Sequence, residues 1–181
     1  MTKWMFGLVL SFLISPGWCD KKMIDAFEEQ PERRWRYISD QVMGGLSQGQ
    51  ANFVKTNAGS NAHLSGWVTT KNNGGFIQIR RDINGSNYPY AQGVTLKIKG
   101  NGESYYLHLR TKQTRLPWHY YHASFDSSST WQSFSIPFSS FEPSSWILET
   151  EIDPASISSL GIVAYGKDHQ ADLWIDEIRF Y

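Results

Sequence analysis

From residue 60 onward, apolar and polar side chains trade places one at a time. Leu64, Gly66 and Val68 alternate with Ser65, Trp67 and Thr69, and Val94, Leu96 and Ile98 alternate with Thr95, Lys97 and Lys99. Tyr105, Leu107 and Leu109 do the same against Tyr106, His108 and Arg110. Successive side chains of a strand leave opposite faces of a sheet, so this period of two predicts strands with one buried side. Segments 51–56, 76–81, 118–125, 131–138, 160–165 and 173–180 extend the series. In 131–138, Phe134, Ile136 and Phe138 point inward and Pro137 suits an edge or a strand end. Segment 23–29 (MIDAFEE) fits a helical turn or a first strand, and the alternation around Ile24 and Ala26 favours the strand.

Turn-forming clusters separate these segments: 57–61 (NAGSN), 71–75 (KNNGG), 84–93, 100–102 (GNG) and 166–169 (GKDH). Gly100-Asn101-Gly102 predicts a hairpin joining 94–99 to 105–111, and 166–169 joins the last two strands. Turns recur about every ten residues, and no amphipathic helix is long enough to cover a sheet. The expected fold is therefore all-β, with antiparallel strands in two packed layers. The 181 residues leave room for one sizeable core and little for a second domain.

The stretch 35–49 (WRYISDQVMGGLSQG) departs from the alternation. Asp40 and Met43 lead into the doublet Gly44-Gly45, and Ser47 follows. A second doublet, Gly74-Gly75, closes the turn at 71–75. Paired glycines between apolar residues mark backbone that needs positive φ or must pass close to another group. These are motif loops with a shape of their own. Neither doublet opens a helix with a Lys-Ser/Thr ending, so no phosphate cradle follows. Asp40 suits either a cation or an Asx-type cap on the loop's N–H groups.

Aromatic residues make up 15% of the chain, which favours strands packed face to face. Lys plus Arg and Asp plus Glu each number 17, so there is no basic field to draw in nucleic acid. Residues 1–19 read as an export signal: Lys3, a nearly unbroken apolar run over 4–14, then SPGWC before charged Asp20. A run of that length falls short of the roughly 20 apolar residues of a stable membrane span. Cleavage after Gly17 and cleavage after Cys19 both fit, leaving a single mature domain over residues 20–181 in the periplasm or outside the cell. Cys19 is the only cysteine, so if it leaves with the leader neither disulfide nor thiolate chemistry is available.

Candidate chemistry points to binding. Tyr106, His108 and Arg110 share one strand face, where rings beside a five-donor guanidinium suit sugar stacking or a carboxylate-bearing peptide. Either Trp118, Tyr120 and His122 or His119 and Tyr121 extend that face from a neighbouring strand. Asp172 and Asp176, with Asp25 or Glu28 from the other end of the domain, form a candidate calcium site, since Ca²⁺ needs oxygens converging from several segments. Catalysis finds little support. The five histidines lack zinc spacing, and no serine sits in a Gly-x-Ser-x-Gly elbow, so no enzyme activity and no catalytic residue is expected.

Several motifs in order, SDQVMGGLSQG (39–49), SGWVTTKNNGGFIQIR (65–80), GVTLKIKG (93–100), YYLHLRT (105–111), WQSFSIPFSSFEP (131–143) and the closing 157–181, resemble the complex I intermediate-associated protein 30 family. The resemblance implies a jelly-roll sandwich of the galactose-binding type, similar to carbohydrate-binding modules, and a non-catalytic role. Mitochondrial members of the family help assemble respiratory complex I, so a protein partner is one expected occupant and a glycan the other. The chain departs from the family in its export signal and at Ser144-Ser145-Trp146, where an arginine- and glycine-containing turn is expected.

Overall fold

A computed structural model describes residues 22–181, so the export signal expected over 1–19 lies outside the described residues. The described chain forms twelve strands: β1 (Lys22–Asp25), β2 (Trp35–Ser39), β3 (Gln48–Thr56), β4 (Gly59–Val68), β5 (Phe76–Asp82), β6 (Gly93–Gly100), β7 (Ser104–Thr111), β8 (Tyr121–Asp126), β9 (Gln132–Pro137), β10 (Glu142–Pro143), β11 (Ile157–Tyr165) and β12 (His169–Phe180). Helical structure among the described residues is limited to 3-10 turns of three or four residues, and none is long and apolar enough to cross a membrane.

The strands build two antiparallel sheets. The first runs β3-β4-β12-β6-β9, with β1 also paired to β12. The second runs β10-β8-β7-β11-β5-β2. Leu64, Leu96, Ile98, Leu173 and Ile175 of the first sheet and Ile77, Ile79, Leu107, Leu109, Leu160 and Ile162 of the second are wholly buried in one core. These are the positions that the alternating pattern assigns to one side. Burying each such side chain contributes about 1.5–3 kcal/mol.

The hairpin expected at Gly100-Asn101-Gly102 does not form. β6 takes β12 and β9 as neighbours, while β7 takes β11 and β8, so the turn carries the chain from one layer to the other. Alternation fixes which face of each strand is buried but says nothing about the strand beside it. The Tyr105 hydroxyl anchors this crossing, donating to Asn101 Oδ1 and accepting from the Asp172 amide, each at 2.8 Å. The 166–169 turn likewise joins strands of different sheets, β11 and β12.

The first strand also stops sooner than its apolar pattern suggests, at Asp25. Phe27, Glu29 and Gln30 have positive φ, and the chain wraps around the buried Asp25 carboxylate. That carboxylate accepts from the Phe27 amide at 2.9 Å, the Trp35 indole at 2.9 Å and Arg34 at 2.9–3.0 Å, and it also contacts Arg81. Arg34 in turn donates to the carbonyls of Glu28 and Glu29, closing the wrap.

Candidate functional site

Asp40 opens a 3-10 turn, Asp40–Met43, directly after β2, and its side chain is fully buried. Its carboxylate accepts from the Ser47 amide (3.0 Å), the Ser47 hydroxyl, the Gly75 amide (2.6 Å) and the Phe76 amide (3.3 Å). Burial alone would raise the Asp40 carboxyl, but the hydrogen bonds from Ser47, Gly75 and Phe76 outweigh it and hold the group below the ordinary range. The two glycine doublets meet on this carboxylate. A Cβ at Gly45 would stand 2.3 Å from Asp40 Cγ, and one at Gly74 would stand 2.4 Å from Asp40 Oδ2. Gly44 and Gly75 are required for a different reason, with φ of 90° and 127°. The motif loops are thus locked together at one end of the sandwich. The apolar side chains they expose are Val42 and Met43, 76% and 64% accessible, and Leu46.

The outward face of β7 carries Tyr106, His108 and Arg110, as the alternation predicts, and cross-strand pairing sets His108 opposite His122 of β8. Tyr120, just before β8, stacks on His108 with ring centroids 4.1 Å apart and planes 12° from parallel. Tyr106 meets His122 at 6.3 Å and the edge of Tyr165 at 5.8 Å. Five rings therefore form one continuous group, in which Tyr165 also lies 6.0 Å from His108 and is 40% accessible. Beside Tyr106 and Tyr165 lies an open depression of about 390 Å³, lined also by Ser104, Gly166 and Lys167.

Burial, reinforced by neighbouring His122, pushes the His108 pKa down to about 3, so the ring is neutral at physiological pH. Its Nε2 is buried without a hydrogen-bond partner. Burial and then the Tyr165 phenol push the Tyr120 hydroxyl up to about 12. Arg110 borders the group, but its guanidinium donates to the carbonyls of Thr114 (2.7 Å) and Leu116 (2.8 Å), bracing the loop after β7. Trp118 does not join the rings. The strand expected from residue 118 begins only at Tyr121, which leaves Trp118 in the preceding loop, 64% accessible, with its ring 6.3 Å from His119.

The carboxylates proposed for calcium do not converge. Asp25 is taken up by Arg34 and Arg81, while Asp172 pairs with His63 at 2.8 Å and Asp176 with Lys97 at 2.5 Å. Asp25 lies opposite Ile178 in the β1–β12 pairing, six positions from Asp172, or about 20 Å at the rise of a strand. No three His, Cys, Asp or Glu side chains among the described residues are grouped to hold a metal. Asp172 and Asp176 flank a ladder on the outer face of the first sheet. His63 stacks on Trp174 at 4.0 Å, and the Lys99 ammonium lies 5.6 Å from Trp174 and 5.4 Å from Trp131. On that side Trp174 and Trp131 are met by the protein's own cations, and Trp67 of β4 is half exposed without one among the described residues, whereas the second sheet carries the continuous group of rings.

Sequence reasoning passed over three outward residues of the second sheet: Tyr165 on β11, and Gln78 and Arg80 on β5. Both strands were recognised, and the same parity argument finds them: Leu160, Ile162, Ile77 and Ile79 point inward, so Tyr165, Gln78 and Arg80 point outward.

The family model for complex I intermediate-associated protein 30 matches residues 25–175. No curated protein matches the chain. Among solved structures, the family 11 carbohydrate-binding module of a cellulosomal cellulase of Clostridium thermocellum superposes with a TM-score of 0.73 at 18% identity, covering 88% of this chain and 93% of its own. A second structure of the family 11 module from the same organism, in complex with a β-1,3-1,4-mixed-linked tetrasaccharide, gives 0.71 at 19% identity over 88% and 94%. The family 30 module of another cellulosomal cellulase of Clostridium thermocellum gives 0.58 at 15% identity over 81% and 90%. The fold is the carbohydrate-binding-module jelly roll.

Proposed function

This chain belongs to the complex I intermediate-associated protein 30 family, and from that premise we propose that it is an exported, non-catalytic binding module holding a glycan on the outer face of its second sheet. The observation that carries the reading is the continuous group of Tyr165, Tyr106, His122, His108 and Tyr120 on one face, with Tyr165 exposed beside an open depression. Flat rings pre-set by packing offer sugars a stacking surface at little cost in side-chain entropy. Jelly-roll neighbours that are carbohydrate-binding modules support the same reading. A glycan array followed by titration tests it. Retention of a defined glycan, weakened at least tenfold by Tyr106→Ala, supports the proposal; a blank array contradicts it.

A second reading, docking of a protein partner, is favoured by the exposed Val42, Met43 and Leu46 on the loop that Asp40 locks in place. Apolar side chains on a rigid loop suit an interface core. Affinity purification in which Val42→Ser with Met43→Ser loses a specific partner supports this reading; recovery of the same proteins by both forms removes it. Export rests on residues 1–19. N-terminal sequencing of protein from the periplasm or medium is expected to start after Gly17 or Cys19, and full-length protein confined to the cytoplasm contradicts export.

A further inference from the structure

The aromatic group does not end the outer face of the second sheet. Across β11, the row continues from His108 to Gly161 and on to Arg80 of β5 and Arg36 of β2, which lie directly opposite each other. Gly161 brings no side chain to this row, so only the side chains of its neighbours cover β11 there; the Gln78 amide oxygen lies 2.9 Å from where a Cβ would stand. Strands β7 and β5 flank β11 about 10 Å apart; in the neighbouring row the buried Val163 of β11 stands between Tyr106 and Gln78, so a ligand lies over these side chains, with Tyr106 on one side and Arg80 on the other.

Cations outnumber carboxylates on that side. Arg36, Arg80 and Arg110 share the face. Asp82 is engaged by Arg36, whose guanidinium donates to its carboxylate at 2.7 Å. Arg110 is bonded to neutral carbonyls. Arg80 has no hydrogen-bond partner among the described residues, and its Nε is buried without one. Burial, then repulsion from Arg110 and Arg36, lowers the Arg80 pKa despite Asp82. Leaving a buried donor unpaired costs about 1–3 kcal/mol. The chain's formal charges cancel, 17 against 17, yet three guanidinium groups gather on this face beside Asp82.

We infer that the ligand of this face carries a carboxylate, so that a uronic-acid glycan is preferred over a neutral glucan. The inference rests on the glycan reading above and names the class of glycan. A guanidinium matches a carboxylate with two parallel hydrogen bonds, and a half-buried site screens that pair less than water does. The acid group of the sugar points toward β5 and β2. At the opposite edge, Glu142 stands across from His122, and Asp126 accepts from the Ser104 hydroxyl. Sugar rings there meet aromatic residues and carboxylates, and the one ammonium beside the depression, Lys167, is already paired with Glu103 at 2.5 Å.

The test is isothermal titration of the mature chain at two salt concentrations with oligogalacturonate, alginate oligosaccharide, mixed-linked β-glucan oligosaccharide, dextran sulfate and a DNA oligomer. The wild type is expected to bind at least one uronate at least tenfold more tightly than the glucan, with affinity falling as salt rises. Arg80→Gln should weaken the uronate at least tenfold and leave glucan binding unchanged. Arg36→Gln, at an exposed position, does the same to a smaller degree and stands in if Arg80→Gln loses its folded circular-dichroism spectrum. Equal binding of uronate and glucan, or no effect of either substitution, overturns the inference and leaves the glycan reading intact. Equal or tighter binding of dextran sulfate or DNA also overturns it, because the site is then a general polyanion patch. Failure of every glycan overturns both.

Discussion

The imidazole of His108 lies flat on the phenol ring of Tyr120, with centroids 4.1 Å apart. The stack takes a titratable ring out of water, and its effect can be read as a function of pH. The folded state holds His108 at about 3, against an ordinary 6.5, by burial and by the nearness of His122. Below 6.5 the unfolded chain takes up a proton that the folded chain refuses. The stability His108 contributes is complete above 6.5 and is lost as the pH falls toward 3, by at most about 1.4 kcal/mol per pH unit. Denaturant midpoints measured across that range should decline in the wild type and decline less in His108→Phe, which keeps the stack and loses the proton site. Identical slopes in the two proteins would show that His108 titrates normally.

Asp40 is a charge held by donors alone, and it makes a different prediction. Asp40→Asn presents one oxygen and an unwanted NH₂ to four donors, so it should cost about 2–4 kcal/mol. Gly74→Ala should be severe in the wild type and much milder beside Asp40→Ala, because the atom its Cβ would strike is Asp40 Oδ2. A double-mutant cycle in urea should return a coupling above about 1 kcal/mol, and additivity would mean that the doublets do not meet on this side chain.

Acid unfolding tests the two buried carboxylates together. Burial raises Asp25, but bonds from Arg34, Trp35 and Phe27 and the charge of Arg81 hold it below its ordinary 3.8, and Asp40 is also held below 3.8. Each contributes stability that is present above 3.8 and lost as the pH falls through its folded value. The steepest loss of stability should therefore come below pH 3.8, where the carboxylates add to the lower end of the His108 window. Asp40→Asn should shallow the transition there and leave the slope above pH 4 unchanged.

Tyr105 ties the turn at 100–102 to β12 through one hydroxyl, fully buried with its ring. Tyr105→Phe keeps the ring and strands both the Asn101 oxygen and the Asp172 amide. The expected cost is about 1–3 kcal/mol, or roughly 3–9 °C in melting temperature for a domain of this size. No change would mean that solvent satisfies both groups.

Much of this molecule is legible in its sequence. The alternation of Leu107 and Leu109 against Tyr106, His108 and Arg110 gives the buried and outward faces of β7 without any knowledge of neighbours. The glycine doublets mark two special loops. What cannot be read is who sits beside whom. Gly-Asn-Gly reverses the chain as well between layers as within one, so the expected hairpin at 100–102 is a crossing. Asp40 stands out in a shaped loop, while Asp172 and Asp176 look like scattered acids, and none of the three shows its partners in the sequence. Only the fold gives Asp40 four donors and gives the other two a histidine and a lysine. Arg80 matters because Arg36 and Arg110, 44 and 30 positions away, come to lie beside it, and because Asp82 is already engaged.

The central claim is that the outer face of the second sheet holds a sugar. It is tested most directly by titrating ¹⁵N-labelled protein with the tightest-binding glycan and mapping the amide shifts. Perturbation confined to β7, β8, β11 and β5, around Tyr106, His122, Tyr165 and Arg80 and lost in Tyr106→Ala, is the predicted result. Shifts gathered on the 40–47 loop, or on the Trp131–Trp174 face of the first sheet, would contradict it.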